Sequence, residues 1–380
     1  MKFTRTMKLA LIFSIVTSIT NATAAESNSQ NSSEQHITES KYNLITPNAT
    51  PETQELYQKL ASIQGKNMLF GHHLSNVMGV GYTDWKQKLN SSDVVKSVSD
   101  YPALFGFDFG RGFSRQMAAV KTAAKLGGII TISDHMPNPH KPKTYKHIKG
   151  SENELKAALP GGEYHDVLLA RLDSVADFAN KAIIDGKKIP IIYRPWHEHT
   201  GGWFWWGSKS STPEEYIQLW RFTVEYLRDI KGVNNLIYAY SPSQFNDDYS
   251  SYEYRNPGSE YFDIAGIDIY TTSGDENVTN MINCIASVVE YAQTHNKVPA
   301  LTEFGYRSGI ENCEDPNWYT EAFLNPLLAN KKAREIVYAL TWTNSNTGTW
   351  VPLEGNPMHN DFIKFYEDNY TAFLKDWLNR

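Results

Sequence analysis

Cysteine is nearly missing from this chain: Cys284 and Cys313 are the two among 380 residues. Two thiols exclude a disulfide framework and a four-cysteine zinc site, and leave open whether they pair with each other. An excess of positive charge is missing too. Lys+Arg number 36 and Asp+Glu 42, for a formal net charge of −6. That balance does not neutralise a phosphate backbone, so no nucleic-acid partner is expected. No glycine-rich phosphate turn follows the first strand-like run, which ends in Gly71-His72-His73, and this counts against a dinucleotide-binding open sheet. His-Glu-x-x-His is absent, and the strand ends that would complete a barrel metal site carry Ser241 and Asp268, so no metal is expected.

Hydrophobic runs are short as well. Leu9–Val16 cannot cross a bilayer, but it follows Lys2, Arg5 and Lys8 and precedes the small-x-small pattern Ala22-Thr23-Ala24. That order reads as a secretory signal peptide over 1–24. Residues 25–42, rich in Ser, Asn, Gln and Glu, read as a flexible leader. The expectation is an exported protein, in the periplasm or the medium, with no membrane span after cleavage and acting as a monomer. Aromatic side chains are what the sequence has in quantity: 10 Trp, 22 Tyr and 17 Phe, or 13%. Such abundance suits a ligand with flat apolar faces, such as a sugar.

From residue 43 onward, eight strand-like runs alternate with helical patterns. The runs are Asn67–His73, Ala103–Gly110, Gly128–His135, Ile189–Glu198, Asn235–Pro242, Asp263–Tyr270, Val298–Gly305 and Ile336–Thr343. Helices are expected over Arg115–Leu126, Asp166–Ile184, from Thr212-Pro213-Glu214-Glu215 to about Ile230, and over Val278–Gln293, Trp318–Ala329 and His359–Leu378. Eightfold alternation predicts an α/β fold, one closed (β/α)8 TIM barrel over 43–380. In such barrels chemistry gathers at the C-terminal strand ends. Here those ends carry His72 and His73, Asp108, His135, His197 and Glu198, Ser241, Asp268 and Tyr270, Glu303, and Trp342.

Two of these are glutamates at the ends of strands four and seven, which face each other across a barrel mouth. Glu198 lies in a run from Arg194 to Gly207 that holds four of the ten tryptophans. An apolar wall beside a carboxylate raises its pKa and keeps it protonated near neutral pH. A pair of carboxyl groups, one acidic and one ionised, is what cleavage of a glycosidic bond requires.

Arg194-Pro195-Trp196-His197-Glu198, the following Gly-Gly-Trp-Phe-Trp-Trp-Gly, and Leu301-Thr302-Glu303-Phe304-Gly305 together resemble glycoside hydrolase family 26 of clan A, mainly β-mannanases. The resemblance covers roughly residues 43 to 380. It implies Glu198 as general acid/base, Glu303 as nucleophile, and retention of anomeric configuration without a metal or organic cofactor. It also implies that His197 contacts the reacting sugar and Trp203 stacks on the leaving-group side. Tyr270 would hydrogen-bond to Glu303, Trp342 would floor the reacting sugar, His135 would line the opposite side, and Arg194 and Asp268 would support. Thr343 stands where some relatives have an arginine after the floor tryptophan. The expected substrate is β-1,4-mannan, glucomannan or galactomannan cut internally. β-1,3-Xylan, mixed-linkage β-glucan and release of mannobiose from chain ends stay open.

Overall fold

The computed structural model describes residues 41–151, 153–244 and 252–380, so the signal peptide and leader up to residue 40 lie outside the described residues. All eight expected strands are present: Met68–His73, Leu104–Asp108, Ile129–Ser133, Ile191–Arg194, Leu236–Tyr240, Ile264–Thr271, Val298–Tyr306 and Tyr338–Thr341. Each pairs in parallel with the next, and the eighth pairs back onto the first through Leu69↔Tyr338 to His72↔Thr341, which closes the barrel. The described residues belong to one compact unit, and no helix among them is long and apolar enough to cross a membrane.

Strand parity decides what points where, because successive side chains face opposite sides of a strand. In strand four Ile191 and Tyr193 belong to the core between sheet and helices, while Ile192 packs inside the barrel. Arg194 shares the face of Ile192 and so points into the barrel above it. In strand six Ile264 is inside and Ile267 outside, which turns Asp268 and Tyr270 inward. Strand seven breaks the alternation. Ile267 pairs with Leu301 but Asp268 pairs with Glu303, so Thr302 is an extra residue, and the register shifts again against strand eight between Leu301 and Phe304. Without this bulge Glu303 would share the outward face of Leu301; with it, the carboxylate turns into the mouth. Thr302 secures the bulge by donating to the Ile267 carbonyl (3.0 Å) and to Asp268 (2.7 Å).

The helix Pro213–Glu225 starts as its sequence predicts. Thr212 and Glu215 form a reciprocal cap, with proline at the first position. Three helical readings need correction. The helix from His165 ends at Lys181, and Ile183–Ile184 pairs antiparallel with Lys187–Lys188 around Asp185-Gly186, both at positive φ. An Asp-Gly hairpin turn thus follows directly on what reads as helix, and its first strand takes the last two residues of that reading. The stretch from Trp318 forms a π-helical segment to Leu324 before the short helix Asn325–Ala329. His359–Leu378 is not one helix: it stops at Glu367, Thr371–Ala372 pairs with Met68–Leu69, and a new helix covers Leu374–Leu378. Phe373 stacks on Phe70 at 4.7 Å, a contact that draws the chain under the barrel.

The bottom of the barrel is also closed by a helix the pattern of strands did not announce, Pro51–Ser62. Its Tyr57 and Leu60 pack against Leu69, Leu104, Ile129, Ile237 and Val298 from the strand starts. Tyr42, read as leader, donates to Gln64 (2.7 Å) and packs on the same cluster. Cys313 carries a free thiol, so the two cysteines form no disulfide.

Candidate active site

Strand four ends at Arg194, and the next four residues make a sharp turn in which Trp196 (φ 50°) and Glu198 (φ 53°) are both left-handed. Residues with a Cβ avoid that region unless their surroundings hold them there. Here the tryptophans do so. Trp206 Nε1 donates to the His197 carbonyl (2.8 Å) and Tyr216 Oη to the Trp196 carbonyl (2.9 Å). Trp196 Nε1 donates to Thr223 (2.9 Å), and the Glu198 amide donates to the Ser241 carbonyl (2.8 Å). Trp196, Trp205 and Trp206 are fully buried, whereas Trp203 is 46% exposed. Three of the four rings are scaffold. The fourth lies over Gly201, where a Cβ would collide with its ring, and donates its indole N–H to Glu198 (2.8 Å).

Glu198, Asp268 and Glu303 each bring a carboxylate oxygen within 4.8 Å of the others. Arg194 supplies the opposing charge from inside the barrel. Its guanidinium donates to Glu303 at 3.2 Å, to Asp268 at 2.5 Å and to Ser241 at 3.1 Å. Asp268 is further held by Ser241 (2.9 Å) and Thr302 (2.7 Å). Burial pushes Glu303 up, and Arg194 works against burial; Asp268 and Glu198 add repulsion. Glu198 is likewise raised by burial and then by Asp268. The two titrate as a pair. Burial raises Glu303 to about 8 and Glu198 to about 7, an order that taken alone leaves the charge on Glu198; the ionic bond from Arg194 to Glu303, against a neutral indole donor on Glu198, favours the charge on Glu303 instead.

A second chain of contacts runs along the wall. Asp108 accepts from His135, through Nδ1 (2.6 Å) and the backbone amide (3.0 Å), and His135 Nε2 lies 3.3 Å from His197 Nε2. Burial opposes charge on His135 but Asp108 outweighs it and raises the ring's pKa. His197 goes the other way: burial, then the positive Arg194 and His135, keep it neutral. Trp342 is stacked on His73 at 4.2 Å and 16°, with His135 at 6.3 Å.

Every site residue read from the sequence thus falls within one mouth. The bond to Glu303 differs from expectation: it comes from Arg194, and no hydrogen bond from Tyr270 reaches Glu303 among the described residues. Tyr270 is inward-facing, and the negative charges of Glu303 and Glu198 add to burial in raising its pKa. Sequence reading did not single out Asp108 as the holder of His135, although it ends a strand. Nor did it single out Tyr145, a loop residue whose ring meets His135 edge-on at 4.8 Å, and no periodic signal marks it.

Residues 45–322 match the family described as Glycosyl hydrolase family 26. A mannan endo-1,4-beta-mannosidase of Bifidobacterium adolescentis is 32% identical over 86% of this chain and 35% of its own length. One from Caldalkalibacillus mannanilyticus is 26% identical over 81% of this chain and 60% of its length. The chain therefore spans between a third and two thirds of these curated relatives. Among solved structures, an endo-beta-1,4-mannanase of Cellulomonas fimi aligns at a TM-score of 0.83 with 33% identity, covering 88% of this chain and 78% of that one. A beta-mannanase of Bacteroides ovatus aligns at 0.79 with 32% identity, covering 86% and 96%. Barrel, paired glutamates and matched sequence agree: the chain belongs to glycoside hydrolase family 26.

Proposed function

We propose that the protein is a retaining endo-β-1,4-mannanase, exported and acting as a monomer, which cleaves mannan, glucomannan or galactomannan. The observation that carries the mechanism is the approach of Glu198 and Glu303 to within 4.8 Å. Carboxyl groups about 5–5.5 Å apart form a covalent intermediate, whereas an inverting pair stands farther apart to admit water. Glu303, kept ionised by Arg194, attacks the anomeric carbon. Glu198 protonates the departing oxygen. Esterification of Glu303 removes its charge, so the pKa of Glu198 falls and it takes a proton from the incoming water. The exposed ring of Trp203 covers the leaving-group sugar, Trp342 floors the reacting one, and His197 and His135 line its edge. The substrate reading rests on what the similar proteins are named for. The test is product analysis on mannan, galactomannan, β-1,3-xylan and barley β-glucan side by side, with the first-formed anomer followed by NMR. Internal cuts in mannan with retained configuration are expected. Faster cleavage of either of the last two polymers, or an inverted first product, would overturn the proposal.

A further inference from the structure

One edge of the mouth, built by the loops after strands three and four, has a charge opposite to that of the whole chain. No Asp or Glu occurs from 135 to 151, while Lys141, Lys143, Lys146 and Lys149 all do, in a protein of net charge −6. The Trp203 loop, 199–213, also lacks any acid and adds Lys209. All five lysines are exposed, and none takes part in an ion pair among the described residues.

The two loops are one structure. Lys146 bridges to Phe204, the His147 amide donates to the Trp203 carbonyl (2.9 Å) and the Trp205 amide to the Tyr145 carbonyl (3.3 Å). Lys209 lies across Gly202, beside Trp203. The loop has an internal anchor: the buried carboxylate of Glu154 accepts from Asn138 (2.7 Å), His147 (2.5 Å) and the Ile148 amide (3.2 Å). The Glu154 carboxylate is thus spent inside the loop, and the lysines face solvent on a fixed frame. Tyr145, 40% exposed and set against His135, joins this frame to the reacting sugar's wall. A cleft edge of one sign concentrates ligands of the other.

We propose that this rim reads acidic substituents on the polysaccharide, so that mannan chains bearing carboxylate, sulfate or phosphate groups near the cleaved bond are preferred over neutral ones. The inference rests on the mannanase reading and deepens it. The test uses one soluble mannan in three forms: neutral, sparsely oxidised at C6 to uronic acid, and sparsely sulfated. kcat/KM is measured on each at about 10 mM and about 300 mM salt, which spans weak to near-complete screening. The wild type is compared with the triple variant Lys141→Gln, Lys143→Gln, Lys146→Gln.

A gain of at least about threefold on the charged polymers at low salt, or about 0.65 kcal/mol, is expected. It should vanish at high salt and in the triple variant, while the neutral polymer is cleaved alike by both proteins. A gain on both charged forms means charge alone is read; a gain on one names the group. Equal or slower cleavage of both charged forms by the wild type overturns the proposal, as does a gain that survives the three substitutions. Failure to cleave neutral mannan would instead count against the mannanase reading. Retention of wild type and triple variant in gels containing each polymer still reads the rim in that case, with equal retention overturning it.

Discussion

Glu303 is buried and takes a hydrogen bond from the Arg194 guanidinium, whereas Glu198 is half-buried and takes one from the neutral Trp203 indole. Activity needs one proton on the pair. Below the first macroscopic step Glu303 is protonated and cannot attack; above the second Glu198 is ionised and cannot donate. kcat/KM against pH should therefore be bell-shaped. In Glu198→Gln, assayed with an activated aryl mannoside, the acid limb should persist and the alkaline limb disappear; an unchanged bell would remove Glu198 from the acid role. Glu303→Ala should lose several orders of magnitude in kcat, since no covalent intermediate can form. Retention of a tenth of the activity, a loss of only about 1.4 kcal/mol, would point to another nucleophile. Trp203→Ala removes an exposed ring, so its melting temperature should hardly move. Its kcat/KM on manno-oligosaccharides should fall by about 1–3 kcal/mol, on the scale of ring stacking against nucleobases, and by less on aryl mannosides.

The Trp-rich turn shows why one segment needs so many indoles. Trp206→Phe keeps the ring that stacks on Phe204 at 4.5 Å but removes the donor to His197 O. Leaving that carbonyl unpaired should cost about 1–3 kcal/mol of stability, with kcat falling more than KM rises because the left-handed Glu198 loses a brace. Calorimetry and steady-state kinetics on the same preparation separate the two effects. The eight strands were legible because each apolar run ends in polar residues that a buried strand could not otherwise tolerate. Glu198 and Glu303 were legible for the same reason. The bulge at Thr302 was not, since parity across a strand is a property of its pairing and one extra residue leaves the composition unchanged. The break after Glu367 was hidden because Phe373, Leu374 and Trp377 keep helical spacing with Phe362 and Phe365. The Arg194–Glu303 bond was only half visible, because it depends on which inward side chains meet.

At the scale of the molecule, the barrel separates stability from chemistry along its axis. Trp377 is 5% exposed among the strand starts, with Lys59 over its ring at 3.9 Å. Trp377→Ala should cost about 3–5 kcal/mol and lower the melting temperature by several degrees. Turnover well below the transition should stay at the wild-type value, because no residue of the mouth touches this ring. A matching fall in kcat at low temperature would mean that the two ends are coupled.

Helix Pro51–Ser62 and helix Leu374–Leu378 both lie under the strand starts, with Lys59 donating to the Trp377 carbonyl (3.3 Å). The molecule consequently has a handle and a blade on opposite faces. A bead, a surface or a second polypeptide joined through Arg380 attaches at the handle, and the cutting edge is left pointing away from its support. Polymer chains too long to enter any pore can then still be threaded across the mouth, whereas coupling through the lysines of the rim would bury the blade in the support.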